Sequence, residues 1–248
     1  MEFRQLLPEP DPVDVGALLA ALDLAVAAGP ERPYIVANFI ASADGRATFR
    51  GKSGALGDPA DRVLFHGLRQ QVDAVFAGTR TLMIERYGRM IRDPEARLRR
   101  ELADRTPEPL AVVVSRSGEV PFDIPLFDEP EARVALFCCV PVDVSEATAQ
   151  VDLVELDPGE LTMTTVMRHL RSDFGIRSLL CEGGPTVFGS LLDERLVDEL
   201  FLTLAPKLVG GGPSPTISNG PELMELQPME LVWALENDGA LYLRYGLR

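Results

Sequence analysis

LLCEGGPTVFGSLLDERLVDELFLTLAPKLVGGG, residues 179–212, is the stretch on which the fold turns. An apolar run over 177–184 ends in Glu182-Gly183-Gly184, and Pro185 follows at once. Proline suits the first position of a helix, because its φ is already set and its missing N–H would have had no partner there. A second apolar run, DELFLTLAP over 198–206, comes next. Strand, glycine turn, helix and strand in that order make a βαβ unit.

The same alternation extends upstream. YIVANFIAS (34–42), DAVFAG (73–78), LAVVVS (110–115), RVALFCCV (133–140) and VDLVEL (151–156) read as strands, being short, apolar and rich in β-branched residues. Between them, Asp58 and Pro59 are expected to cap and open a helix that runs to about Gln71, with further helices from 79, over 94–104 and over 162–173. Segments 229–236 and 240–246 flank Asn237-Asp238-Gly239, a hairpin signal. The order predicts an α/β fold with a mainly parallel sheet and antiparallel strands at its end. Segment 13–28 reads as an amphipathic helix. The expected organisation is therefore an N-terminal helical extension over 1–30 and one domain over 31–248.

Composition narrows the function. The chain has 248 residues, is 46% hydrophobic and carries a net charge of −14. That charge argues against a nucleic-acid or anionic-membrane binder, though an anionic ligand can still bind in a local basic pocket. No apolar stretch is long enough to span a bilayer, and the N-terminus has no leader pattern. Cys138, Cys139 and Cys181 have no metal-binding spacing and suit a reducing, cytoplasmic setting. Lys52 and Lys207 are the only lysines, so phosphate recognition falls to arginine and to backbone N–H groups.

Four places could carry chemistry. Gly183-Gly184-Pro185-Thr186 joins a strand to a helix N-terminus, where free N–H groups and small side chains can cradle a pyrophosphate. Gly78-Thr79-Arg80-Thr81 repeats the geometry, with Thr79 as the expected helix cap. Asp44, after the first core strand, and Glu182 are carboxylates at strand ends, able to bind an amino-pyrimidine or assist proton transfer. Ser115 and Arg116 could hold an adenosine 2′-phosphate, since a guanidinium fork matches that group. Each also has a bland reading: a tight βα turn, a capped helix, an ordinary Asp-Gly turn and a solvated turn. Zinc deaminase, HExxH and GxSxG patterns are absent.

Taken in order, NFIASADGRAT, GKSGALGDPADR, LRQQVDAVFAGTRTL and the opening stretch resemble the pyrimidine reductase family of bacterial riboflavin biosynthesis, over roughly Tyr34 to Leu247. The resemblance implies a dihydrofolate-reductase-like, three-layer α/β/α fold, NADPH as cofactor, no metal and a homodimer. It also implies reduction of the ribosylamino group of a pyrimidine ribose phosphate, with hydride passing to the sugar C1′. Family members that also carry a zinc deaminase are longer, so the chain is expected to resemble a stand-alone, actinobacterial-type reductase. By matching motif, the resemblance places Thr81, Glu85, Ser115, Gly184, Pro185, Thr186, Val187 and Phe188 on the cofactor, and the reading of the turns themselves adds Gly78, Thr79, Arg80, Arg116 and Gly183. It places Ser53, Arg69, Arg92 and Glu182 on the substrate. Asp44 and Glu182 are the expected catalytic carboxylates. RYGRMIRD (86–93) departs from the family's pattern, Glu85 stands where Asp is usual, and Ala55 replaces an aromatic found in some members. A reductase of another heterocycle, such as dihydrofolate or a pterin, and an inactive NADPH-binding regulator remain the alternatives.

Overall fold

A computed structural model describes residues 2–247. Among these residues the elements, in chain order, are β1 (Glu2–Leu7), β2 (Asp11–Asp14), α1 (Val15–Ala20), β3 (Tyr34–Ser42), α2 (Pro59–Gln71), β4 (Ala74–Ala77), α3 (Thr79–Glu85), α4 (Pro94–Leu102) and β5 (Leu110–Ser115). The second half holds α5 (Pro125–Asp128), β6 (Arg133–Cys138), β7 (Gln150–Glu155), α6 (Met163–Ser172), β8 (Ser178–Gly183), α7 (Pro185–Asp193), β9 (Glu199–Ala205), β10 (Met229–Asn237) and β11 (Ala240–Leu247).

The strands form one sheet in the order β2-β1-β10-β11-β9-β3-β8-β4-β5-β6-β7. From β9 to β7 every pairing is parallel, whereas β11, β10, β1 and β2 are added antiparallel. The hairpin between β10 and β11 turns at Asp238 (φ 48°) and Gly239 (φ 83°). Two successive left-handed residues match the right-handed twist of the flanking strands.

Alternation along the parallel strands divides the core between two faces. Val36, Val75, Ala111 and Leu180 face the layer that holds α2, α3 and α4. Ile35, Phe76, Val112 and Leu179 face α6 and α7. A sheet buried on both faces explains why these strands read as continuous apolar runs. Asp58 caps α2 by accepting from the Asp61 amide at 2.7 Å, as its place before Pro59 predicts. At the other end of α2, the buried Arg100 guanidinium donates to the carbonyls of Arg69, Gln70 and Val72, which have no helical partner of their own.

The N-terminal segment differs from expectation. In place of a helix over 13–28 there are two strands and the six-residue α1. Strand β1 pairs with β10, and Phe3 packs edge-on against Tyr242 with ring centroids 5.1 Å apart. These contacts join residues more than two hundred positions apart, and no local periodicity signals them. Val15 and Leu19 are buried, and Leu19 sits so close to α2 that a Cβ on Gly67 would fall 2.4 Å from its Cδ1. Leu22 and Leu24 are buried from turns, which defeats the helical reading of the same apolar residues. The short α5 was also not expected from sequence. Helix α3 is capped by Gly78, and Thr79 is its first residue, so the expected Thr79 cap is not formed.

Chain order sets the position of the site. The chain leaves β3, builds β4 to β7 outward on one side, then returns to insert β8 between β3 and β4 before placing β9 on the other side of β3. The carboxyl ends of β3, β8 and β4 thus lie together where the strand order reverses, the usual place for a ligand crevice in an open α/β sheet.

Candidate active site

Two glycine turns meet at those strand ends. The Gly78 amide donates to the Gly183 carbonyl at 2.9 Å. A Cβ on Gly78 would come within 3.0 Å of Val187 Cγ2, and one on Gly184 within 3.2 Å of Thr81 Oγ1. Gly183 (φ 112°) and Gly184 (φ 59°) occupy conformations that favour glycine. The two turns therefore press together without side chains between them, and a cleft of about 860 Å³ opens above them.

The cleft gathers residues from distant parts of the chain. Gly78, Thr79, Arg80, Thr81 and Glu85 come from α3 and its approach; Glu182, Gly183, Gly184, Pro185, Thr186 and Val187 come from β8 and α7. Ser53, Arg69 and Arg92 also line it. Ser53 is held in place by Glu85, whose Oε1 accepts from its amide at 3.1 Å and its hydroxyl at 2.9 Å.

The floor is a buried ion pair. Arg69 donates through Nε to Glu182 Oε1 at 2.6 Å and through Nη2 to Oε2 at 2.7 Å, while Nη1 donates to the Met90 carbonyl. Tyr87 donates its hydroxyl to Glu182 Oε2 at 2.8 Å. The Glu182 side chain is wholly buried. Burial alone would lower the Arg69 pKa, but the charge and hydrogen bonds of Glu182 more than offset this, and the net shift is upward. Burial, and next the Glu182 charge, push the Tyr87 hydroxyl well above its ordinary value. A carboxylate offers about four acceptor positions, and Arg69 and Tyr87 fill three of them.

Four expected site residues lie outside the cleft. Asp44 is turned away: its carboxylate accepts from the Ser42 hydroxyl and from the amides of Val209 and Gly210, the latter at 2.7 Å. The Ser42 hydrogen bond, followed by the Gly210 and Val209 amides, holds the Asp44 pKa down at about 2. The expectation that Asp44 reaches a substrate is corrected: it anchors the loop backbone at Val209 and Gly210. Ser115 is buried and donates its hydroxyl to the Glu119 carbonyl at 2.9 Å. Arg116 donates to the carbonyls of Pro158 and Leu161, so its guanidinium is committed away from a 2′-phosphate. Phe188 is buried beneath the cleft and packs against Phe39 with tilted rings, centroids 4.5 Å apart, supporting a ring that does line it.

Asp44→Ala is expected to speed hydrogen exchange at Val209 and Gly210 and to raise KM by about tenfold while turnover persists, because a loop anchor and not a reacting group is lost. The sign with pH follows from the depressed pKa. Protection of these amides is full above the ordinary Asp value of about 4 and falls away as pH drops towards about 2. Exchange rates that ignore the substitution would remove this role.

One whole wall was legible in sequence only as a loop, 207–221, long enough to carry function, with no residue of it assigned. Pro213, Pro215, Thr216, Ser218 and Asn219 line the cleft. This segment is tied down by the Ala47 amide to the Pro215 carbonyl (2.8 Å) and the Asn219 amide to the Pro185 carbonyl (2.9 Å). Gly189 is required beneath it, since a Cβ there would lie 2.2 Å from the Asn219 carbonyl oxygen. The only local sign was loop length. Tyr87, Arg62 and His66 were also missed. The helical spacing of 62, 66 and 69 could have placed the latter two beside Arg69.

Residues 33–238 match the RibD C-terminal domain. The chain belongs to the RibD C-terminal domain family. It is 27% identical over 218 residues to the 2,5-diamino-6-ribosylamino-4(3H)-pyrimidinone 5′-phosphate reductase of Archaeoglobus fulgidus, covering 87% of this chain and 99% of that one. The Methanothermobacter thermautotrophicus reductase of the same name is 29% identical over 199 residues, covering 79% and 88%. In fold, the chain is similar to a pyrimidine reductase-like protein of Corynebacterium diphtheriae, with a TM-score of 0.78, 23% identity and coverage of 95% and 99%. It is also similar to the riboflavin biosynthesis reductase Rib7 of Saccharomyces cerevisiae, with a TM-score of 0.71, 17% identity and coverage of 95% and 100%. Membership of this RibD C-terminal family agrees with the three-layer α/β fold and with the cleft at its strand ends. Among the described residues no helix is long and apolar enough to cross a membrane.

Proposed function

We propose that this protein is an NADPH-dependent reductase acting on a ribosylaminopyrimidine phosphate of the riboflavin pathway. The observation that carries the reading is the meeting of the two glycine turns, at 78–81 and 183–186, above the buried Glu182–Arg69–Tyr87 floor of one cleft. A nicotinamide dinucleotide fits the residues present. The turns leave room where any Cβ would intrude, and Thr48, at the cleft wall, has a buried hydroxyl with no hydrogen-bond partner among the described residues. Thr79, Arg80, Thr81, Thr186 and the backbone of 183–187 would hold its phosphates. When bound, the reduced nicotinamide supplies hydride.

The chain's own residues bind and orient. Glu182, fixed by Arg69 and Tyr87, presents its remaining acceptor to the pyrimidine, and Ser53 is positioned by Glu85 to meet the sugar phosphate. Such fixing favours one attack geometry and excludes others. A proton donor is not assigned to Asp44, which faces the 207–210 loop.

A second copy of the chain is the proposed partner. Leu208, Met224 and Leu226 are largely exposed, and Met229, Leu231 and Val232 add partly exposed apolar surface near them in sequence. A cytoplasmic setting suits the three free cysteines.

The test compares NADPH oxidation with the ribosylaminopyrimidine phosphate and with dihydrofolate. Turnover confined to the former is expected. Preference for dihydrofolate, or NADPH binding with no acceptor reduced, would overturn the reading. Sedimentation as a monomer would remove the dimer.

A further inference from the structure

Reduction of a ribosylamino group consumes a proton as well as hydride. The C1′–O4′ bond of the sugar ring breaks, and a C1′–H bond forms with the hydride that NADPH gives up. The electron pair of the broken bond stays on O4′, which takes one proton and becomes a hydroxyl, while NADP⁺ is released. One proton per turnover therefore comes from a protein group or from water.

Apart from arginines, the titratable side chains that line the cleft are Asp61, His66, Glu85, Tyr87 and Glu182. Glu182 is taken up as an acceptor by Arg69 and Tyr87. Glu85 is exposed and holds the amide and hydroxyl of Ser53. Burial, and next the Glu182 charge, keep the Tyr87 proton on its oxygen. Burial, and next the Arg69 charge, push the His66 imidazole down, which leaves the ring without a spare proton near neutral pH. Asp61 differs from all four. It stands in the first turn of α2, about 12 Å along the helix from Arg69. Its Oδ1 accepts from the Thr203 hydroxyl of β9 at 2.7 Å, and its Oδ2 has no hydrogen-bond partner among the described residues. A Cβ on Gly57 would lie 2.8 Å from Oδ2, so glycine there leaves that oxygen uncovered.

We propose that Asp61 is the general acid of the cleft, delivering a proton from Oδ2 to O4′ as hydride enters C1′. This rests on the reductase reading above and fills the role that Asp44 cannot. With Oδ1 held by Thr203, the proton of the acid form sits on the open oxygen. The charged and titratable groups that face Asp61 are Asp58 and Arg62 on α2, Tyr242 on β11 and Lys207 just past β9. Lys207 donates to the carbonyls of Ala55 and Leu56, and Tyr242 donates to Asp58. Burial raises the Asp61 pKa, the Thr203 bond opposes it, the Asp58 charge adds to it, and the net shift is upward. Only the acid form carries the proton. The chemical step is therefore fastest below this pKa and slows by about tenfold per pH unit above it.

Two measurements test the assignment. Single-turnover reduction of the ribosylaminopyrimidine phosphate is followed against pH in wild type, Asp61→Asn and Thr203→Val. In parallel, carbon-13 NMR follows the carboxyl signal that Asp61→Asn removes. Asp61→Asn can still accept from Thr203, and it is expected to react about 100-fold more slowly, with no fall at higher pH and unchanged NADPH affinity. Thr203→Val removes the bond that lowers the Asp61 pKa, so its fall should move to higher pH. The carboxyl signal should titrate above the ordinary Asp value of about 4. A wild-type rate in Asp61→Asn overturns the assignment and leaves the reductase reading standing. A slow variant that keeps the wild-type pH profile overturns it too, by giving Asp61 a purely structural role, and so does a carboxyl that titrates at or below about 4. No reduction by wild type removes the reductase reading, and the assignment with it.

Discussion

Arg69→Ala is expected to lower stability by about 3–5 kcal/mol and to abolish measurable turnover. The substitution leaves the Glu182 carboxylate wholly buried with only Tyr87 to satisfy it, and an uncompensated buried charge is among the costliest single defects a fold can carry. Loss of activity alone would be ambiguous, because a partly unfolded enzyme is also inactive. The double variant Arg69→Met with Glu182→Leu separates the two effects. Replacing both charges with apolar groups of similar size removes the unpaired ion, so the melting temperature should return close to that of wild type. Turnover should stay lost, because the acceptor offered to the ring is gone. A double variant that folds and retains wild-type kcat would take this ion pair out of the chemistry.

Gly184→Val is expected to weaken NADPH binding by about 100-fold or more. A β-branched residue at φ 59° is strained by roughly 1–3 kcal/mol, and its Cβ would fall 3.2 Å from Thr81 Oγ1. Relief of either defect must separate the two glycine turns whose contact closes the cradle. At about 1.4 kcal/mol per tenfold, that strain and the lost close approach together reach two orders of magnitude. Fluorescence titration with NADPH reads the effect directly. Adding Thr81→Ala relieves the side-chain crowding but not the backbone strain, so it should recover only part of the affinity. Full affinity in Gly184→Val alone would mean that the turn at 183–186 does not touch the cofactor.

The site was legible in sequence where a local rule placed a residue at a strand end. Gly78, Thr81, Glu182 and Gly184 follow strands read from their apolar runs, and all of them line the cleft. Asp44 and Arg116 follow strands by the same rule, yet their side chains turn to the amides of 209–210 and to the carbonyls of Pro158 and Leu161. A strand-end position says that a side chain can reach the crevice, and the competing backbone partners that decide whether it does come from elsewhere in the chain. Glu182 illustrates the converse. Its place was readable, but its state was not, because Arg69 and Tyr87 stand 113 and 95 residues away.

Sequence alone determined the βαβ order, the hairpin at 237–239, the cap at Asp58 and membership of the reductase family, since each depends on periodicity, turn chemistry or motif order within a short span. Tertiary structure alone decided that residues 2–14 complete the sheet beside β10, that 213–219 wall the cleft, and that Arg69 spends its charge on Glu182 while Arg62 and Arg92 keep theirs. Those outcomes depend on pairings between remote segments, where burial and hydrogen-bond competition outweigh the preferences of any single stretch of chain.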